Sequence, residues 1–104
     1  MTDVLFPDDC LTMTDVRAGV DATDAALVTL LERRFGYMRA AARIKPDRSV
    51  VRDDVRKARV IDNVRVLAGA AGLPPERLAA VWDVLVEQSI AYEFDMWDQR
   101  RGRE

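Results

Sequence analysis

From Thr14 to Lys45 apolar residues recur every three or four positions. Val16, Val20, Leu27, Leu30, Leu31, Tyr37, Met38, Ala41 and Ile44 share this pattern with Thr23, and no proline interrupts it. That spacing places the side chains along one face of an α-helix and predicts a single long helix. Thr12 or Thr14 can cap its start, with Asp15 in the first turn. Pro46 ends it, because the residue before a proline is pushed out of the helical region. Pro46-Asp47-Arg48-Ser49 then reads as a polar loop. A second helix is expected from about Asp53 to Ala71, with Val55, Val60, Val64, Leu67 and Ala68 as its stripe and Gly72 as the residue that stops it. A third is expected from about Pro75 to Gln99, with Leu78, Trp82, Leu85, Ser89, Glu93 and Met96 along one face. A turn-rich arm, residues 1–13, precedes these helices and a solvated tail, residues 100–104, follows them. No strand alternation, internal repeat or Gly-rich phosphate loop competes with this pattern. The reading is an all-α, three-helix subunit, with residues 1–104 forming one domain.

The first helix is too long for the chain that carries it. At 1.5 Å per residue it measures roughly 48 Å, against a radius of gyration of about 13 Å for a compact chain of this length. Its own chain cannot cover it, so a homodimer with shared pockets between helices is expected. Arg34 and Lys45 are eleven residues apart, three turns to within about 20°, so both cations can reach into one space. Arg17 lies about 25 Å from Arg34 along the axis and roughly 100° around it, so if it serves the same kind of site, it serves that of a partner subunit.

Composition removes several kinds of chemistry. The chain has 104 residues, 49% apolar, with a formal charge of −2 made of many charges of both signs. Such a surface gives no global basic field for nucleic acid. Cys10 is the only cysteine, which excludes an intrachain disulfide and a Cys-rich zinc site. There is no histidine, so the commonest general base and most zinc or iron ligand sets are missing. No apolar run is long enough for a membrane span and the N-terminus lacks the features of a secretory signal. The expected location is the cytoplasm.

What chemistry remains lies in polar residues within apolar stripes. Ser89 and Glu93, four apart between Leu85 and Met96, should both point inward. A buried carboxylate needs a partner or a proton, and a structural pair with a cation is one way to satisfy Glu93. Arg52 and Arg56 share a face at the start of the second helix. Singly, each of these cations reads as wet surface. Together, Arg34, Lys45, Arg52, Arg56, Ser89 and Glu93 come from three helices that must pack, and they describe a pocket for an anion. A small dicarboxylate with an ether or hydroxyl group fits it, because arginine grips carboxylates with two parallel hydrogen bonds.

The order Asp15-Val16-Arg17, Leu31-Glu32-Arg33-Arg34, Ala41-Ala42-Arg43-Ile44-Lys45, Arg52-Asp53-Asp54-Val55-Arg56 and Glu87-Gln88-Ser89-Ile90 resembles the all-helical chorismate mutases. Pro7-Asp8-Asp9-Cys10 and Tyr37-Met38-Arg39-Ala40-Ala41 resemble their relative, isochorismate-pyruvate lyase. The likeness runs from about Pro7 to Arg101. It implies an intertwined homodimer whose long first helix spans two active sites, and a Claisen rearrangement of chorismate to prephenate that uses no cofactor, metal or covalent intermediate. It also implies roles. Arg34 and the partner's Arg17 would bind the two carboxylates, with Arg56 adding positive charge. Lys45 would donate to the ether oxygen as its bond breaks, Asp53 would help hold the ring hydroxyl, and Ser89 would contact a carboxylate.

Two positions depart from that pattern. Lys57 stands where typical bacterial mutases carry a glutamate that grips the ring hydroxyl. Glu93 stands where bacterial mutases and the lyase generally carry glutamine as a second donor to the ether oxygen, although fungal mutases have glutamate. The Arg52-Asp53 pair and Ser89 match the mutase pattern more closely, and the N-terminal arm matches the lyase. Chorismate mutase, in aromatic amino acid biosynthesis, is therefore the first expectation. The alternatives are a salicylate-forming lyase and a non-catalytic helical dimer that binds a shikimate-pathway enzyme, the last consistent with Lys57 and Glu93.

Overall fold

The computed structural model describes residues 4–102. They form three α-helices, α1 (Met13–Ile44), α2 (Asp54–Ala70) and α3 (Pro75–Arg101), with 3₁₀ turns at Pro7–Asp9 and Arg48–Val50. No strand occurs among the described residues, so the all-α reading holds. The described residues fall into two compact units, one ending at Gly36 and one beginning at Tyr37.

In the first unit the arm turns at Pro7–Asp9, where the Asp9 amide donates to the Phe6 carbonyl at 2.9 Å. Thr12 then caps α1. The Asp15 amide donates to Thr12 Oγ1 at 3.1 Å, while Asp15 Oδ2 accepts from the amides of Leu11 and Thr12 at 3.0 and 3.2 Å. This reciprocal arrangement satisfies donors that a helix start leaves open. The Leu11 amide is the main cause that holds the Asp15 carboxyl below its ordinary range. As expected, α1 runs unbroken for 32 residues. Its one buried residue is Ala42, while Val16, Val20, Leu27, Val28 and Leu30 are exposed.

The second unit holds the end of α1, the following loop, α2 and α3. Asp53 caps α2 by accepting from the Arg56 amide at 2.9 Å. The other end closes at Gly72, whose φ of 74° suits a residue without a Cβ. There the Leu73 amide donates to Ala68 O at 2.8 Å and the Gly72 amide to Gly69 O at 3.1 Å, the paired bonds of a Schellman stop. Pro75 opens α3 at a position where its missing N–H costs nothing.

Small residues make the core of this unit: Ala42, Val51, Val64, Ala68, Ala79 and Val86 are buried. Along α3 the expected stripe turns Ser89 and Glu93 fully inward, with Leu78, Trp82, Leu85 and Met96 half-buried. On α2 the stripe is only partly covered. Val64 and Ala68 are buried against α3, whereas Val55 and Leu67 stay 72% and 68% exposed. One helical neighbour covers a narrower strip than the apolar face these residues make.

The tail expected from Arg100 onward is corrected in part. Arg100 and Arg101 continue α3, and Gly102 closes it by donating its amide to Asp98 O at 2.7 Å; residues 103–104 lie outside the described residues. The apolar stripe stops at Met96, but the helix is carried further by side chains that reach back to the end of α1. The loop after α1 is tied to α3 as well. Arg48 makes a two-pronged bond to Asp98, 2.8 Å from Nε to Oδ1 and 3.3 Å from Nη2 to Oδ2, and lies over the Phe94 ring at 4.5 Å.

Candidate active site

The site grows from one turn of α3. Ser89 and Glu93 are both buried and lie one turn apart on the face that meets the end of α1. Ser89 donates its hydroxyl to Leu85 O at 2.7 Å, a local bond that fixes its rotamer. Glu93 Oε2 accepts from Lys45 Nζ at 2.7 Å, with the carboxylate side chain 5% exposed and the lysine 28%. Burial makes an unpaired carboxylate costly, and the short charge-assisted bond offsets that cost. Lys45 also donates to Val51 O at 3.1 Å. Val51 is buried just after the loop, so the ammonium is held from two directions.

An ammonium carries three protons. Glu93 and Val51 O accept two of them, which leaves one for a ligand on the partly exposed side. Lys45 thus has the geometry of a preorganised donor, set near a fixed negative charge.

A second ionic cluster flanks the start of α2. Arg52 grips Glu87 with both nitrogens, 2.8 Å from Nη2 to Oε1 and 3.2 Å from Nη1 to Oε2, and reaches Asp54 Oδ1 at 3.0 Å. Lys57 bonds Glu87 Oε2 at 2.9 Å and Asp83 Oδ1 at 3.0 Å. The Arg52 hydrogen bonds, then that of Lys57, pull the Glu87 carboxyl from 4.5 to about 2. Glu87 in turn is the main cause raising both cations above their ordinary values. The positive charge of Lys57, unexpected at this position, is therefore used within the chain to bind α2 to α3.

This cluster predicts an acid-sensitive term in stability. A carboxyl whose folded value lies below its unfolded one stabilises the fold above the unfolded value and loses that contribution as pH falls. For Glu87 the window runs from 4.5 down to about 2. Thermal melts across that range should show wild type losing more stability than Glu87→Gln, which has no carboxyl to protonate. Identical slopes for the two proteins would place the acid sensitivity elsewhere.

Of the residues expected to bind a ligand, Lys45, Glu93 and Ser89 come together in the second unit. Asp53 and Arg56 are joined through the α2 cap, with the Arg56 side chain exposed. Arg52 is engaged by Glu87. Arg34, half-buried, and Arg17, exposed, lie on α1 in the first unit.

Sequence reasoning missed Val51, Asp83, Trp97 and Arg101, and treated Glu87 only as part of a motif. Asp83 and Glu87, one turn apart on α3 and bonded to Lys57, were findable as a pair of acids with the right spacing. Trp97 and Arg101 continue the helical spacing of Glu93. Among the described residues no group of histidine, cysteine or carboxylate side chains has the arrangement to hold a metal, and no helix is long and apolar enough to cross a membrane.

The fold and these contacts define an all-α protein that presents a held ammonium beside a buried carboxylate. Comparison with known proteins gives this class its family. The family described as chorismate mutase type II matches residues 16–94, and the chain belongs to it. A curated relative, the isochorismate pyruvate lyase of Pseudomonas aeruginosa, is 28% identical over 96 residues, spanning 92% of this chain and 95% of the relative.

Proposed function

We propose that this chain is a chorismate mutase that rearranges chorismate to prephenate. The observation that carries the reading is Lys45, held by Glu93 and Val51 O with one proton left over. In a Claisen rearrangement the ether bond breaks while a carbon–carbon bond forms, and negative charge grows on the ether oxygen. A fixed donor aimed there gains strength only as the reaction proceeds, which is the condition for lowering the barrier. Neither proton transfer nor a covalent step is required, which suits a chain without histidine.

The remaining roles follow the family pattern. Arg34 and Arg17 of a second copy take the two carboxylates, Arg56 adds positive charge and Ser89 meets a carboxylate. Asp53 takes the ring hydroxyl, and Arg52, fixed by Glu87, borders the site. The enzyme is a cytoplasmic homodimer in this reading. The exposed apolar residues of α1, which include Val16, Val20, Leu27, Val28 and Leu30, support the dimer because a second copy can bury them.

A second reading, isochorismate-pyruvate lyase, is favoured by the Pseudomonas aeruginosa relative and its coverage of nearly the whole chain. Incubating the purified protein with chorismate and with isochorismate, and following prephenate and salicylate, separates the two. Prephenate formation as the faster reaction supports the mutase, and salicylate formation as the faster one replaces it with the lyase. Background turnover of both by a folded protein would leave a non-catalytic role for the helical subunit.

Sharing of sites has its own test. Arg17→Ala and Arg34→Ala homodimers should each be nearly inactive, while a mixed dimer should regain one intact site, because one copy retains Arg34 and the other Arg17. No recovery after demonstrated subunit exchange would remove Arg17 from the site.

A further inference from the structure

We propose that Arg101 is a positioning residue for Lys45, acting with Trp97 through the carbonyls at the end of α1. The need for it starts with Pro46. In an α-helix the carbonyl of Ala42 would accept from the amide four residues on, but that residue is Pro46, which has no N–H. Ala42 is completely buried, so water cannot take the place of the missing donor. Arg101 does: its Nη1 donates to Ala42 O at 2.9 Å.

The same guanidinium reaches one residue pair further. Its Nη2 donates to Lys45 O at 2.8 Å, and Trp97 Nε1 donates to that carbonyl at 3.2 Å. Arg101 also lies over the Trp97 ring at 4.2 Å, which fixes the two side chains against each other. Glu93, Trp97 and Arg101 are spaced four apart and lie on one face of α3. One face of one helix therefore holds Lys45 at both ends, its ammonium through Glu93 and its backbone carbonyl through Trp97 and Arg101.

The consequence is directional. A donor gives its full effect only when its position is fixed, and a displacement of about 1 Å is enough to cost about 10²-fold in rate. Without Arg101 the carbonyls of Ala42 and Lys45 lose their fork of donors, and the last turn of α1 is free to shift the lysine stem. Glu93 then follows a mobile ammonium rather than orienting a fixed one. The catalytic half of this inference rests on Lys45 being the donor to the breaking bond, and the structural half stands without it.

The test uses both halves. The chain has two lysines, Lys45 and Lys57, so protein carrying [ε-13C]lysine gives two side-chain signals, with Lys57 as an internal control. In Arg101→Ala the Lys45 signal should move toward the position of a free lysine while that of Lys57 stays in place. An unmoved Lys45 signal in a folded variant overturns the proposal. Kinetically, Arg101→Ala should lower kcat roughly tenfold or more, with little change in KM, and should cause no further loss in a Lys45→Ala background. Equal losses in the two backgrounds would show a general effect on the fold and overturn it as well. Arg101→Lys keeps the charge but not the fork and should recover only part of kcat. If Arg101→Ala does not fold, Trp97→Phe removes one donor from Lys45 O and should give the same pattern at lower amplitude. A wild type inactive toward both chorismate and isochorismate would sink the enzymatic reading, and the lysine signals would still decide the positioning claim.

Discussion

Lys45→Ala is expected to lower kcat at least a hundredfold while KM rises only a few-fold. In the proposed reaction the lysine would face an oxygen that gains charge as the ether bond breaks, so its removal would be felt in the transition state more than in the bound substrate. Losing one preorganised donor costs on the order of 3 kcal/mol. The substitution also leaves Glu93, 5% exposed, without its cation, so the variant should melt earlier than wild type. Rates must accordingly be normalised to the folded fraction, measured by circular dichroism at the assay temperature. Arg34→Ala is the contrasting case. The carboxylate it would hold is charged throughout the reaction, so both KM and kcat should suffer. A folded Lys45→Ala enzyme with near-normal kcat would take Lys45 out of the mechanism.

The parts of this protein that were legible in its sequence are those set by local rules. The 32-residue α1, its Thr12 cap, the stop before Pro46 and Gly72 all follow from spacing and backbone chemistry that act within a few residues. Ser89 and Glu93 were legible as inward because polar residues within an apolar stripe must face where the stripe faces. What stayed hidden depends on which helices meet. Lys57 read as an anomaly until Glu87 and Asp83 stood opposite it. Arg101 read as tail because its partners are carbonyls near residue 44, and sequence does not show which carbonyl lacks a donor until the helix ending there is placed. The apolar faces of α1 and α2 were legible as faces, but their coverage was not, since Val55 and Leu67 remain exposed in one chain.

Glu93 carries the second large effect. Its carboxylate accepts from Lys45 at 2.7 Å, so in the proposed site it would be an acceptor and a negative charge beside the oxygen that must itself become negative. A carboxylate cannot donate to that oxygen, whereas an amide can. Glu93→Gln keeps a carbonyl oxygen for Lys45 and supplies an amide donor in place of the charge. At neutral pH the variant should be the faster enzyme, by roughly tenfold if a repelling charge is exchanged for one donor. The cost is a weaker bond to Lys45, neutral in place of charge-assisted, and a somewhat lower melting temperature. The measurement is kcat/KM for both proteins at neutral pH, normalised to the folded fraction by circular dichroism. A folded Glu93→Gln enzyme no faster than wild type would assign Glu93 to holding Lys45 alone, and the donor to the ether oxygen would then be the ammonium without a second partner.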